Sequence, residues 1–325
     1  MFFDEIIGQP SAVNIFEQVL ASSRLSHAYI FSGPAGTGKL LFAKTLAKIL
    51  MCEDKSGCNV CRSCKWVEKN CHPNLRITSV EKGSKEIKIQ AVREIEQELM
   101  LTPFSKTHRV FIVNEAERMS EEAFNAFLKT LEEPVKDTVI ILVTSNIAVL
   151  PRTVVSRCQV IRFHPIEQTL VTRYLEQWLK IKPEDALLLS HLSDGSIGDA
   201  CKLYEDGLLA QRERLIKGLA GEEPGRLARD IANYAKSHSE DKEDERREII
   251  WQLKIIGLFI RDALWLAQGL PDNKLLNKDR IPEVKQYQRR YNNRLERLME
   301  RLLKSERYIR LNANTSLVVE SLLIA

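Results

Sequence analysis

The chain has 325 residues, 44% of them hydrophobic and 28% charged, with Lys+Arg 48 against Asp+Glu 44 for a net charge of +4. At roughly 150 residues per domain this length predicts two or three domains, each able to bury a core. The near balance of charge argues against a nucleic-acid coat protein, and no run approaches the ~20 apolar residues of a membrane span. The start, Met-Phe-Phe-Asp-Glu, lacks the basic and apolar regions of a signal peptide, so a soluble cytoplasmic protein is expected.

The first half alternates helical and strand patterns. Ser11 can cap a helix whose apolar stripe runs Ala12, Ile15, Phe16, Val19 and Leu20. Ala28 to Ser32 reads as a short buried strand, followed by Gly33, Gly36 and Gly38 and then a helix from Leu40 to Met51. Leu75 to Val80 is a second strand, and Ile89, Val92, Ile95 and Leu99 mark another helix. Arg109 to Asn114 and Thr138 to Thr144 are continuous apolar runs, as expected of strands buried on both faces of a parallel sheet. Between them Glu121 to Glu133 is a helix stopped before Pro134, and Gln159 to Phe163 is a fifth strand. The fold class this implies is an α/β domain with a doubly wound parallel sheet, ending near residue 165.

After Ile166 the strand signals stop. Pro183-Glu184-Asp185 looks like a helix start, Ser196 can cap the next helix, and the remainder is helical in pattern. Glu240 to Glu248 is a solvated loop or helix edge. Ile281 to Arg310 carries nine Lys/Arg against four Glu, while Leu295, Leu298, Leu302 and Leu303 run down one face. A basic helix can face DNA, but an amphipathic helix in a bundle is the commoner explanation.

Gly33-Pro34-Ala35-Gly36-Thr37-Gly38-Lys39 fits G-x-x-x-x-G-K between a strand and a helix, the context a phosphate-binding loop requires. Glycines let backbone N–H groups turn toward phosphates, and the lysine and the helix N-terminus add positive charge. The next residue should be Ser or Thr, to coordinate Mg²⁺, and it is Leu40. The second strand that serves such a site should end in Asp and Glu, and here the pair is Asn114-Glu115. Both positions that normally hold the ion are altered. ATP binding can survive this; efficient hydrolysis is not expected.

Cys52, Cys58, Cys61 and Cys64 read C-x5-C-x2-C-x2-C. Successive C-x2-C steps suit a closed tetrahedral zinc site of structural type, with an iron–sulfur cluster a less fitting reading and disulfides disfavoured without an oxidising compartment. Cys71, Cys158 and Cys201 are then ordinary thiols.

With these pieces placed, the chain resembles the bacterial clamp-loader AAA+ ATPases of DNA polymerase III. Phe3 to Gln9 is similar to the family's adenine-side leading segment, and the phosphate loop, the four-cysteine insertion and His72-Pro73 follow in family order. Leu101-Thr102-Pro103-Phe104 precedes the Walker B strand, and Asn125 to Pro134 is close to the helix after it. Thr144 and Ser145 lie where the family's sensor 1 polar residue sits, and Asn312 to Leu317 with Glu320 and Leu322-Leu323 is similar to its closing collar helix. The resemblance implies an AAA+ module over 1–165 with a zinc insertion at about 52–64, a helical lid over 166–208 and an all-α collar over 209–325. It implies partners too: the other subunits of a hetero-pentameric ring and, through that ring, the sliding clamp and primed DNA, with no membrane.

Ser156-Arg157-Cys158 matches the motif that, in this family, gives an arginine finger to the nucleotide of the neighbouring subunit. The lid departs from the pattern of ATP-hydrolysing members: Gly195-Ser196-Ile197-Gly198-Asp199-Ala200 has Gly198 where they carry the sensor 2 arginine. Leu40, Asn114 and Gly198 each remove a different part of the hydrolysis machinery, while Arg157 remains. The resemblance therefore implies a stator that completes a neighbour's site without hydrolysing ATP alone, with an ATP-hydrolysing motor subunit as the alternative.

Overall fold

A computed structural model of the chain describes residues 2–81, 83–101, 107–221, 224–239 and 241–324. It groups into two compact units, one of residues 1–171 with 194–199 and the other of residues 172–193 with 200–325.

The first unit opens with α1 (Pro10–Ser22), β1 (Ala28–Ser32), α2 (Lys39–Met51), α3 (Arg62–Glu68) and β2 (Leu75–Thr78). It continues through α4 (Ile89–Met100), β3 (Arg109–Val113), α5 (Glu121–Glu132), β4 (Thr138–Thr144), α6 (Arg152–Val155) and β5 (Gln159–Arg162). The five strands form one sheet in the order β2-β3-β4-β1-β5, every pair parallel. Helices cover both faces, so β1, β3 and β4 are buried almost throughout, which is why they read as unbroken apolar runs. The strand period of two still sorts their side chains. Tyr29 and Phe31 join Phe16, Phe42 and Phe163 in an aromatic core on one face. Ala28 and Ile30 pack with Phe127 and Leu142 on the other.

Four local expectations are corrected. Ser11 does not cap α1; Pro10 takes the first helical position and Gln9 precedes it, its side chain occupied elsewhere. The second and fifth strands are shorter than their apolar runs, ending at Thr78 and Arg162. The cysteine segment, whose intervening residues, Arg62 and Ser63 among them, are mostly turn-compatible, runs into α3, whose N-terminal N–H is capped by the Cys61 sulfur. Leu303 leaves the apolar face and is exposed, because on the helix Leu295–Arg310 it follows the buried Leu302 by one residue, about 100° round the axis. The stretch from Ile281 to Arg310 is itself two helices with a 3-10 turn at Asn292–Arg294 between them. The segment 102–106, part of the motif Leu101 to Phe104, lies outside the described residues, as does Glu240.

The second unit is all helical. The C-terminal part of α7 (Gln168–Trp178), α8 (Pro183–Leu192) and most of α9 (Ile197–Glu205) precede α10 (Leu208–Ala220), α11 (Pro224–Ser237), α12 (Lys242–Ala267), α13 (Ile281–Tyr291), α14 (Leu295–Arg310) and α15 (Thr315–Ile324). The acidic stretch beginning near residue 241 is the first turns of α12, capped by Asp241, which accepts from the Glu243 and Asp244 N–H groups. The 26-residue α12 is the axis on which α10, α11, α13 and α14 pack. Its fully buried Asp262 accepts hydrogen bonds from the Leu276 and Asn277 N–H groups and the Asn277 amide. Asn277 in turn receives the Arg212 guanidinium, which also pairs with Asp279 at 2.5 Å. A buried charge is tolerated there because each acceptor is met.

Truncating a ring in the aromatic core should leave a cavity. Phe16→Ala is expected to cost about 3–5 kcal/mol, read as a lower urea midpoint for the transition of the first unit. Val149→Ala, at an exposed turn, is expected to stay within about 0.5 kcal/mol of the parent protein.

Candidate functional site

Parallel pairing brings the carboxyl ends of β4, β1 and β5 level: Ser32 is in register with Thr144 on one side and Arg162 on the other. The chain leaves β1 between its two neighbours, the place where open α/β sheets bind ligands. Gly33 begins the loop there. Its N–H donates to the Thr144 carbonyl at 3.3 Å, and a Cβ on it would sit 2.2 Å from the Phe163 carbonyl oxygen, so only glycine fits. Gly38, at φ 89°, closes the loop and sits at the N-terminus of α2. Gln9 ties the loop down: its amide nitrogen donates to the Thr37 and His164 carbonyls at 3.2 and 2.7 Å, and its amide oxygen accepts from the His164 N–H.

Lys39 is 6% exposed, and its ammonium donates to the Gly33 and Pro34 carbonyls, each at 2.5 Å. Burial pulls its pKa down to about 8 against the upward pull of the Glu117 and Asp199 carboxylates. Leu40 faces inward and packs on the aromatic core, so this position is a core position rather than a metal ligand. Asn114 holds its backbone against β2 through an N–H bond to the Thr78 carbonyl. Glu115 adopts φ 55°, and its carboxylate is at the surface, paired with Arg118 at 3.5 Å. That same turn swings Glu117 toward the loop. Its carboxylate accepts from the Ser145 N–H at 3.0 Å and from the Ser145 hydroxyl. Burial would raise the Glu117 pKa, but the hydrogen bonds from Ser145 and Thr144 prevail and hold it below the usual carboxylate value.

The acids near Lys39 are therefore Asp199 and Glu117, the latter two residues beyond the pair that the strand end marks and not signalled by the strand pattern. Thr144 is buried at the end of β4, its hydroxyl accepting from the Asn146 N–H at 3.1 Å. The donor set falls short of a family-type Mg²⁺ site: Leu40 packs against the core and Asn114 is neutral, which leaves Glu117, whose Oε1 is taken by Ser145 and whose buried Oε2 has no hydrogen-bond partner among the described residues.

The turn 194–199 packs directly on the loop. The Gly198 N–H donates to the Gly36 carbonyl at 3.1 Å, and a Cβ on Gly198 would stand 3.0 Å from the Gly36 Cα. A Cβ on Gly36, at φ 66°, would meet the Ser196 hydroxyl at 1.9 Å. Ser196 caps its helix as expected, accepting from the Asp199 N–H at 3.0 Å. Gly36 makes room for Ser196, and Gly198 makes room for Gly36, so both glycines serve the close approach of turn and loop. Pro34 and Ala35 complete the loop's outer bend, with the Thr37 hydroxyl donating to the Pro34 carbonyl at 2.8 Å.

Arg157 stands apart from the loop, just beyond α6, with its guanidinium on the Glu132 carboxylate and the Thr153 carbonyl. Cys158, next to it, is half-buried, and the loss of solvent around it pushes its thiol up to about 12.

The four cysteines converge. Their sulfurs all lie within 4.8 Å of one another, with Cys52 and Cys64 buried. Backbone N–H groups of Cys58, Cys61 and Cys64 point at the sulfurs of Cys52, Cys58 and Cys61, each at 3.4 Å. Burial alone would raise the Cys52 pKa, but the amide bonds overcome it and bring it to about 6; Cys61 is lowered in the same way, while burial raises Cys64. Amide donors around a sulfur cluster favour thiolates, the form that binds metal. Lys48 anchors the loop to α2 through Asn59 at 2.5 Å, a contact not evident from spacing. Cys71 is exposed and Cys201 lies in the other unit.

A glycine loop opening a helix at the carboxyl edge of this five-stranded parallel sheet, followed by helices, defines a P-loop module of AAA+ type. A family model described as DNA polymerase III, delta subunit matches residues 8–167, and one for its C-terminal part matches residues 206–325. The chain is 30% identical over 293 residues to DNA polymerase III subunit delta' of Bacillus subtilis, covering 86% of this chain and 84% of that one. It is 31% identical over 215 residues to subunit tau of the same organism, covering 63% of this chain but only 38% of tau. A gamma subunit-related protein from Thermotoga maritima aligns over 95% of this chain and 97% of that one, with a TM-score of 0.42 at 17% identity, too low to decide anything. The chain belongs to the DNA polymerase III clamp-loader subunit family.

A tetrathiolate site predicts one divalent ion per chain in protein purified without added metal, and none in Cys61→Ser. The ion should be lost as pH falls, because protons compete for thiolates. Metal analysis across a pH series reads both.

Proposed function

We propose that the chain is the delta-prime subunit of a DNA polymerase III clamp loader, acting as a stator that does not hydrolyse ATP and that offers Arg157 to the nucleotide of the adjacent ATPase subunit. The observation that carries this reading is the contact of Gly198 with Gly36. At the position where hydrolysing members place an arginine, this chain has a backbone contact so close that even a Cβ would press on the Gly36 Cα at 3.0 Å, and the loop would have to give by a few tenths of an ångström to admit a side chain. Leu40 in the core and neutral Asn114 point the same way. Arg157, by contrast, keeps a guanidinium partly open to solvent, with the planar donor fork that phosphate oxygens match.

In this reading residues 1–165 form the AAA+ module, 166–208 the lid and 209–325 the collar of a five-membered ring with gamma/tau and delta subunits, acting in the cytoplasm on the sliding clamp and primed DNA. The ion held by Cys52, Cys58, Cys61 and Cys64 is zinc with a structural role, fixing a segment whose own apolar core is small. ATP entering the loop would meet Gly33 to Gly38 and Lys39, with Thr144 beside them, and would be held rather than turned over. The second reading, a gamma/tau-like motor subunit, is favoured only by the intact glycines and Lys39.

Two results are expected. The isolated chain shows no ATPase above background, and Lys39→Ala leaves that value unchanged. In the reconstituted ring, Arg157→Ala lowers clamp-loading turnover by at least about tenfold, since a finger supplied in trans can be worth 10³ or more at its own site. Measurable hydrolysis by the isolated chain, abolished by Lys39→Ala, would establish the motor reading instead.

A further inference from the structure

Arg157 is not free in this chain. Its Nη2 donates to Glu132 Oε1 at 2.5 Å, and its Nη1 donates to the Thr153 carbonyl at 2.8 Å. Glu132 is the last residue of α5, where a carboxylate meets the negative end of the helix dipole and costs roughly 0.3–1 kcal/mol. The helix therefore gains nothing from an acid there. The two side chains are 50% and 35% exposed, and an ion pair so open to water contributes about 0–1 kcal/mol to stability. Folding does not need this contact. What the geometry does accomplish is to hold the one guanidinium that the stator reading requires, on a carboxylate whose charge a polyphosphate can outbid.

We propose that Glu132 is a positioning residue that parks the Arg157 guanidinium and releases it to a nucleoside triphosphate presented by the neighbouring subunit. The proposal rests on the finger reading above and adds its regulation. While the neighbour's site is empty, the finger stays on Glu132, held on a second side by the Thr153 carbonyl. When a triphosphate arrives, its greater charge and matched oxygens take the fork. A pair worth up to 1 kcal/mol biases the parked and engaged populations by up to about fivefold, enough to set a basal rate without blocking the engaged state. No covalent step is involved. Glu133, next in the chain, is the C-terminal cap of the helix and serves as the control position.

The test uses the whole ring, reconstituted with wild-type chain, Glu132→Gln, Glu133→Gln or Arg157→Ala, and reads KM and kcat for ATP without DNA across a salt series. Glu132→Gln is expected to raise kcat/KM by about two- to fivefold at low salt, mainly through a lower KM. The ratio to wild type should shrink toward one as salt screens the pair. Glu133→Gln should match wild type, and the thermal midpoint of the isolated Glu132→Gln chain should stay within about 2 °C of the parent. If Glu132→Gln behaves as wild type while Arg157→Ala is impaired, the finger stands and the parking is wrong. If Glu132→Gln is impaired like Arg157→Ala, Glu132 assists engagement and parking is again overturned. If Arg157→Ala is itself unimpaired, the finger reading fails and takes the parking with it.

Discussion

The backbone contact between Gly36 and Gly198 is the constraint on which the character of this site depends. Phosphate loops of this type are built to wrap a ligand, with glycines that let the backbone approach it closely. Here one of those glycines is spent on the chain's own turn, 194–199, which comes within hydrogen-bond distance of the loop. A Cβ on Gly198 would press on the Gly36 backbone and a Cβ on Gly36 would collide with the Ser196 hydroxyl, so the loop and the turn 194–199 act as a single unit. The lysine follows the same logic, with its ammonium folded onto the Gly33 and Pro34 carbonyls and two carboxylates near it.

Three substitutions relative to hydrolysing clamp-loader members thereby acquire structural roles. Leu40 packs against the aromatic core, Asn114 follows β3 and holds the Thr78 carbonyl of β2, and Gly198 permits a close approach. None of them is merely a missing catalytic group, since each is integrated into its surroundings. Any side chain at 198 would press on the loop, whose Gly36 Cα would stand 3.0 Å from the added Cβ. The rest of the chain is built on conventional grounds: an aromatic core behind β1, a long central helix in the second unit, and a buried aspartate whose acceptors are satisfied.

Much of the sheet was legible in the sequence because the environment of β1, β3 and β4 leaves little choice of residue: buried on both faces, they are apolar throughout. The glycine loop and the four cysteines were legible because their chemistry fixes spacing. What escaped depended on side chains that serve distant partners. Gln9 precedes α1 without capping it because its amide is used by Thr37 and His164, 155 residues away in the second case. Glu117 was hidden because the strand end points to Asn114 and Glu115, and only the left-handed backbone at Glu115 exchanges which acid faces the loop. Leu303 was grouped with Leu295, Leu298 and Leu302 on one helix, but it stands one residue, about 100° of helix, past the buried Leu302 and so turns to the surface. Local pattern reports burial well; it does not report where a polar side chain finds its partner.

The claim that the loop is retained without its metal site is tested most directly by titrating the isolated chain with ATP in the presence and absence of Mg²⁺. With Leu40 in the core and Asn114 neutral, binding should be equal in the two conditions within about twofold. An affinity strengthened tenfold or more by Mg²⁺ would contradict the account, because the ion carried by ATP would then be stabilised by groups of this chain.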